Sequence, residues 1–334
     1  MRWDNLRLTD DEPDLPLFAG GAVARTFDTP AFHGTTFYEV RARSIINRVP
    51  AGSHVPFEHT INPYRGCGHR CSYCFARSTH RYLDLDTGLD FDTKIIVKVN
   101  APELTRKELA SPRWRGHQIA MGTNVDPYQR AEGRYRLMPG IITALTRAAT
   151  PFSILTKGTL ILRDLDLLRE AAGHAAIGVS LSIGFLDPDV WRATESGAPH
   201  PERRLETVAR LNAEGIGCGV LMAPILPYLT DSPAQLARTV SRIAAAGATH
   251  VVPIVLHLRP GAREWYLAWL AREHPRLVPR YLELYGRGAY ATRAYQDRMT
   301  AQVSALARSH GLARSPRFRV PQDRPRGPEQ LTLL

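Results

Sequence analysis

The chain has 334 residues, 44% of them apolar and 22% charged, with 43 Lys and Arg against 32 Asp and Glu, a formal charge of +11. This is ordinary globular composition, long enough for one barrel-sized α/β domain with extensions or for two smaller domains. No apolar run approaches the roughly 20 residues of a membrane helix, and Met1 to Leu6 lacks an apolar signal core, so the sequence excludes a membrane anchor of that kind and places the protein in the cytoplasm. The positive surplus suits a polyanionic partner such as nucleic acid, although Arg far outnumbers Lys and Ala is abundant, as GC-rich coding also produces.

Residues 1 to about 43 show no sustained period of 2 or 3.6. The acidic run Asp10 to Asp14 and the pair Gly20-Gly21 predict an irregular extension that wraps the domain. From residue 44 the pattern changes. Phe57 to Asn62 reads as a short strand, and Lys94 to Asn100, rich in β-branched residues, as another. Ala101 to Ala110 follows as a helix with Pro102 near its start. Gln118 to Gly122 is a strand, Met138 to Ala149 a helix, and Phe152 to Lys157 a strand. Leu162 to Ala172 is a helix closed by Gly173, and Ala175 to Ser182 a strand. Pro201 to Glu214 is a helix with Leu205, Val208, Ala209 and Leu211 on one face. Gly217 to Ala223 is a strand reached through the turn Gly215-Ile-Gly-Cys-Gly219. Pro233 to Ala246 is a helix capped by Asp231 or Ser232, and His250 to Leu256 one more strand.

Strand and helix thus alternate about six times, which calls for a parallel sheet covered by helices. Its closure is either a doubly wound open sheet or a full or partial (β/α) barrel. No Gly-x-Gly-x-x-Gly follows the first strand, which disfavours a dinucleotide-binding open sheet. The barrel is the preferred reading, and barrels gather their chemistry on the loops after the strands' C-terminal ends. Beyond residue 258 the repeat stops. Arg263 to Arg272, Pro279 to Tyr285 and Tyr295 to His310 read as helices. The organisation expected is an irregular extension (1–43), a core (44–258), a helical extension (259–312) and a flexible basic tail (313–334).

Three of the four cysteines lie in Cys67-Gly-His-Arg-Cys71-Ser-Tyr-Cys74, the loop after the first strand. In a reducing compartment such a cluster reads as metal ligands rather than disulfides, and thiolates select iron–sulfur clusters or zinc. A structural zinc site needs four ligands, usually two pairs a dozen or more residues apart. Its fourth ligand here would be His69, His80 or Cys218. Three thiolates on a four-iron cluster instead leave one iron open for substrate or cofactor. The alternative is a non-catalytic iron–sulfur redox or sensor protein, but a carrier closes every cluster position with protein ligands.

The pattern C-x3-C-x-aromatic-C, with Tyr73 as the aromatic, resembles the signature of the radical S-adenosylmethionine (radical SAM) superfamily. The stretches Ser44 to Pro50, Ile61 to Gly66, Leu89 to Lys94, Met121 to Gln129 and Leu162 to Leu168 are similar to the branch related to spore photoproduct lyase. The resemblance covers roughly residues 44 to 260. It implies a partial (β/α)6 TIM-like barrel, with a [4Fe–4S] cluster on Cys67, Cys71 and Cys74. S-Adenosylmethionine (SAM) would bind the open iron through its amine and carboxylate. Reductive cleavage to methionine and a 5′-deoxyadenosyl radical, which abstracts hydrogen from a substrate, would follow, with a flavodoxin- or ferredoxin-type reductant as partner. Carried over by position, the backbone beside Tyr73 faces the adenine and Phe75 packs near it. Thr123 and Asn124 meet the methionyl amine, Lys157 neutralises the carboxylate, and Ser180 or Ser182 bonds the ribose. Where many relatives carry a Gly-Gly-Glu-like turn, this chain has Gly122-Thr-Asn-Val-Asp126. It also lacks the cysteine that the dimer-repair lyase uses near the end of its third strand, which speaks against thymine-dimer repair.

Outside that pattern, Cys218 reads as a buried core thiol or, more sharply, a hydrogen-atom donor. His54, His59, His69 and His80 read as surface or packing residues. Arg65, Arg70, Arg77 and Arg81 would form a basic collar, and Asp126 either contacts substrate or caps a turn.

Overall fold

The structure, a computed structural model, describes residues 22–50 and 55–312 together with the backbone of Leu6 and Arg7. The run at 10–14, Gly20-Gly21, His54 and the basic tail lie outside the described residues. The strands are β1 (Leu6–Arg7), β2 (Val23–Thr26), β3 (Thr36–Ala42), β4 (Ile46–Arg48), β5 (His59–Ile61), β6 (Tyr64–Arg65), β7 (Lys94–Lys98), β8 (Ile119–Met121), β9 (Phe152–Thr156), β10 (Ile177–Ser182), β11 (Cys218–Ile225) and β12 (Val251–Val255). The helices are α1 (Leu89–Thr93), α2 (Ala101–Leu109), α3 (Arg130–Tyr135), α4 (Leu137–Arg147), α5 (Leu165–His174), α6 (Pro188–Thr194), α7 (Pro201–Ala213), α8 (Pro233–Ala245), α9 (Ala262–Glu273), α10 (Val278–Tyr285) and α11 (Arg293–Ser309).

The main sheet runs β12-β11-β10-β9-β8-β5-β4. Its six strands from β5 to β12 are parallel and stand in chain order, while β4 pairs antiparallel at the edge. Six sequential parallel strands joined by helical crossovers make the partial (β/α)6 barrel, and β4 and β12 are its open edges among the described residues. On the face opposite the cavity-lining Ser182, Leu221 and Ala223, toward the covering helices, the strands supply Ile61, Met121, Ile154, Leu181, Val220 and Met222, all buried. α7 adds Leu205, Val208 and Leu211 at helical spacing. Ala209 is exposed on that helix, contrary to expectation, and Arg204 takes a place on the buried face instead. α8 starts at Ser232, whose side chain accepts from Gln235 N while Gln235 reaches back to Ser232 N, a capping box. The stretch expected as one helix from Leu162 opens as a tight turn, Thr159–Asp164. α5 then runs through Gly173 rather than stopping before it.

Two further expectations change. Lys94–Lys98 is a strand but not a barrel strand. β7 pairs parallel with β3 and antiparallel with β6 in a second sheet ordered β1-β3-β7-β6, with β2 also on β3. A run of β-branched residues specifies an extended, buried segment without specifying its neighbour. The segment expected to be irregular therefore contributes β2 and β3, whose Phe37, Tyr38 and Val40 are buried. Tyr64 of β6 donates to Glu132 of α3 at 2.5 Å and joins this second sheet to the region after β8. At the other end of the chain α11 packs on α8 and β12. α9 lies against the Phe75–Leu83 segment, where Trp265 covers Gly88 and the Arg77 guanidinium.

Candidate active site

The loop after β5 carries the three cysteines, and their side chains line one cavity at the C-terminal end of the parallel strands. Every side of this loop is held. Gln129 accepts from Gly68 N and donates to Gly66 O, both at 2.9 Å. Arg77 is fully buried, donates to Cys71 O at 2.9 Å and pairs with Asp92 at 2.8 Å. It is thus a strut under the loop, not a member of a basic collar. On the opposite side Ser72 N donates to Thr194 O at 2.9 Å, and Gly197 N to His69 O at 3.0 Å. A Cβ on Gly197 would lie 2.0 Å from Gly68 O, so only glycine permits this approach.

Behind the loop sits a charged group that the sequence did not reveal. Glu195 is fully buried, its backbone bridges Cys71, and its carboxylate accepts from the Tyr73 hydroxyl and from Arg204. Arg204 also donates to Pro199 O at 2.8 Å and Ser182 O at 3.0 Å. Burial pushes the Glu195 carboxyl up, but the charges of Arg204 and Lys157 and the hydrogen bonds from Arg204 and Tyr73 outweigh it and hold the group below its ordinary range. Burial raises the Tyr73 hydroxyl, and the neighbouring carboxylate adds to that.

As free thiols the cysteines are pushed up by burial, Cys71 to about 12, with Lys157 pulling the other way on Cys71 and Cys74. Loading a metal therefore displaces protons from this loop. Three thiols on one braced loop, facing one cavity beside a lysine, are the donor set that a three-thiolate cluster requires.

Most of the other expected residues converge here. Tyr73, Phe75, Thr123, Asn124, Lys157 and Ser182 line the same cavity. Gly122 follows β8 at φ +86, where a Cβ would lie 1.8 Å from Leu155 O, so the chain can turn Thr123 and Asn124 toward the cavity only with glycine there. Lys157 Nζ donates to Ser182 Oγ at 2.9 Å and lies 5.7 Å from the Tyr73 ring centroid. Ser182 Oγ in turn donates to Ala223 O at 2.9 Å. Ser180 does not line the cavity. Strand alternation puts it on the face of Ser182 but one pleat, roughly 6–7 Å, further from the mouth. Phe75 is 39% exposed at the rim with Arg259 5.2 Å from its ring centroid.

Asp126 caps the turn. It accepts from Tyr128 N at 2.9 Å, Thr156 Oγ1 at 2.5 Å and Lys157 N at 2.6 Å, and lies 3.3 Å from His69 Nδ1. Burial works against its ionised form, yet His69 and the hydrogen bonds from Lys157 and Thr156 hold it at about 2. His69 is therefore a cavity-wall residue and not a surface histidine. His80 is buried away from the cavity, within hydrogen-bonding distance of Lys94 O at 3.0 Å. Cys218 opens β11, at the end opposite the cavity-lining Leu221, Ala223 and Pro224, and is fully buried. That position removes it both as a fourth ligand to the loop and as a hydrogen-atom donor, and leaves a core thiol. His257, which ends the far wall after β12, was not singled out in the sequence and completes the lining.

The chain belongs to the radical SAM superfamily, whose family model matches residues 61–240. It has the fold of that superfamily's spore photoproduct lyase branch. The structure of spore photoproduct lyase complexed with dinucleoside spore photoproduct aligns with a TM-score of 0.59 at 15% identity, over 82% of this chain and 79% of that one. A mutant of that lyase with bound AdoMet and dinucleoside spore photoproduct aligns with a TM-score of 0.61 over 91% and 85%. In sequence, the chain is 49% identical to an uncharacterized protein of Mycobacterium tuberculosis (strain ATCC 25618 / H37Rv) over 303 residues, 91% of this chain and 89% of the relative. An uncharacterized protein of Methanocaldococcus jannaschii is 28% identical over 195 residues, 58% of this chain and 69% of the relative. Superfamily membership brings with it SAM and an iron–sulfur cluster as cofactors, and an electron donor as partner. Among the described residues no helix is long and apolar enough to cross a membrane.

Proposed function

We propose that the protein uses a [4Fe–4S] cluster on Cys67, Cys71 and Cys74 to cleave SAM reductively and abstract hydrogen from an anionic substrate of nucleic-acid type. The observation that carries this reading is the convergence of three braced thiols, Lys157 and Ser182 on one cavity at the strands' C-terminal ends. When bound, the cluster supplies one electron to the sulfonium, and SAM supplies methionine and the 5′-deoxyadenosyl radical. The chain's own residues bind and orient. Lys157 offers its ammonium to the methionyl carboxylate, Thr123 and Asn124 offer oxygen acceptors to the amine, and Ser182 bonds the ribose. The Tyr73 backbone and the Phe75 ring flank the adenine. Leu221, Ala223, Pro224, Ile254, Val255 and Leu256 make the opposite wall apolar, which keeps water and stray hydrogen donors from a reactive carbon. In this reading residues 44–258 do the chemistry, residues 259–312 buttress the loop, and a flavodoxin- or ferredoxin-type protein delivers the electron.

The nucleic-acid class is supported by the charge of +11 and by the dinucleoside ligand named for the lyase of the same fold. The test is anaerobic reconstitution followed by dithionite and SAM. The expected result is a four-iron cluster and formation of 5′-deoxyadenosine, both lost in Cys71→Ala. Deoxyadenosine formation surviving in that variant would sink the reading, and a cluster that forms but never cleaves SAM would point to a redox carrier.

A further inference from the structure

The geometry points to a second metal site, for a zinc-type divalent ion, formed by Glu58, His59 and His117 at the end of the barrel away from the cysteine loop. His59 begins β5, and His117 stands two residues before β8, the strand that pairs with β5 in parallel with His59 opposite Ile119. The two histidines are thus diagonal neighbours where the strands start, while the cysteine loop and the Gly122–Asp126 turn follow the strands' other ends.

Each of the three residues places one ligand atom within 4.8 Å of the others. His117 Nδ1 and Glu58 Oε2 are 3.9 Å apart. The imidazoles lie 4.9 Å apart at 30°, and Trp114 closes one side with its ring 5.2 Å from His59 and 5.9 Å from His117. His59 Nδ1 is buried and makes no hydrogen bond. A polar nitrogen left without a partner is costly, and a metal ion held by the cluster would remove the need for one. Tetrahedral zinc with bonds of about 2.0–2.1 Å puts its ligand atoms roughly 3.3 Å apart. The Glu58 and His117 side chains are 68% and 44% exposed and can close the remaining gap by changing rotamer. Two imidazoles and a carboxylate, with water in the fourth position, suit zinc better than magnesium or calcium. Arg48 faces His59 across the β4–β5 pair, and the Glu58 carboxylate supplies the charge that offsets it.

The β5–β8 ladder has only three residue pairs. An ion bridging its start would fasten together the two strands that present the cysteine loop and the Thr123–Asn124 turn. The probe is Zn2+, titrated into the full chain with Cys67, Cys71 and Cys74 all replaced by alanine, so that no loop thiolate competes. The expected result is one ion per chain, with binding weakened at least ten-fold in His117→Ala and in Glu58→Gln on that background, and a melting temperature raised by Zn2+ only where the site is intact. Should the chain with its three loop cysteines replaced not fold, the same comparison is made by zinc content after dialysis of cluster-loaded protein with and without His117→Ala. Absence of binding, or binding that His117→Ala leaves unchanged, overturns the proposal.

Discussion

Glu195, fully buried, and Asp126, partly buried at the cavity wall, show how single carboxylates set the shape of the cavity. Glu195 has two side-chain partners, and removing its charge leaves Arg204 buried without a counter-charge. Breaking such a pair from one side costs about 3–5 kcal/mol. Glu195→Gln is therefore expected to lower unfolding stability by about 3 kcal/mol or more and to reduce cluster incorporation. Replacing Glu195 and Arg204 together with apolar residues should cost less than the single change. Equal losses in the single and double variants, measured by denaturant unfolding, would contradict the coupling. Asp126 makes a pH prediction. Its carboxyl sits at about 2 in the fold against an ordinary value of 3.8. A depressed carboxylate stabilises fully above the unfolded value and loses its contribution as pH falls toward the folded one, here between about pH 4 and pH 2. Asp126→Asn should thus cost about 2 kcal/mol at pH 7, by the conversion of about 1.4 kcal/mol per pKa unit. The gap from the wild type should narrow below pH 4. A gap constant from pH 7 to pH 3 would show that ionisation is not the source.

At the scale of elements, the sequence announced which segments are strands and helices more clearly than which of them touch. Lys94–Lys98 was legible as a strand because Ile95, Ile96 and Val97 need burial, yet nothing in those residues names β3 as partner. α6 (Pro188–Thr194) was not foreseen: it is short, has little apolar periodicity, and its role is to deliver Glu195 to the back of the loop. The cysteines, Tyr73 and Lys157 were legible because spacing and strand ends expose them. Arg204 was not, because an arginine between helix positions that bury leucine and valine looks like surface. The C-terminal helices carry a prediction of their own. Trp265 of α9 lies 4.8 Å from the Arg77 guanidinium and covers Gly88. Truncating it removes the lid over the strut that holds Cys71 O. Trp265→Ala is expected to cost about 2 kcal/mol, less than a fully buried tryptophan because the ring is half-buried. It should also make the reconstituted cluster lose iron faster in air. An unchanged decay rate would mean that α9 does not support the loop.

For the whole molecule the question is where the positive surplus resides. The arginines paired inside the fold do not supply it, since buried Arg77 faces Asp92, buried Arg204 faces Glu195, and partly buried Arg163 faces Glu132 and Asp164. Each of these is matched by at least one acid, so the excess belongs to exposed positions and to the C-terminal sequence. Between residues 313 and 334 the chain carries Arg314, Arg317, Arg319, Arg324 and Arg326 against Asp323 and Glu329. If a polyanion is the substrate or its carrier, binding must release counterions, and the logarithm of the binding constant falls linearly with the logarithm of salt, by about 0.7 per phosphate contact on a single strand. The full chain should therefore bind single-stranded DNA with a steep negative slope. A chain ending at Leu312 should lose the share its arginines contribute, a slope smaller by roughly 2–3 if three or four of the five meet phosphates. Deoxyadenosine formation without substrate should be the same in both chains, because the described contacts of the cysteine loop lie within residues 22–312. Binding that ignores salt would assign the charge to coding bias, and an unchanged slope after truncation would move the polyanion's path from the tail to the rim around Phe75 and Arg259.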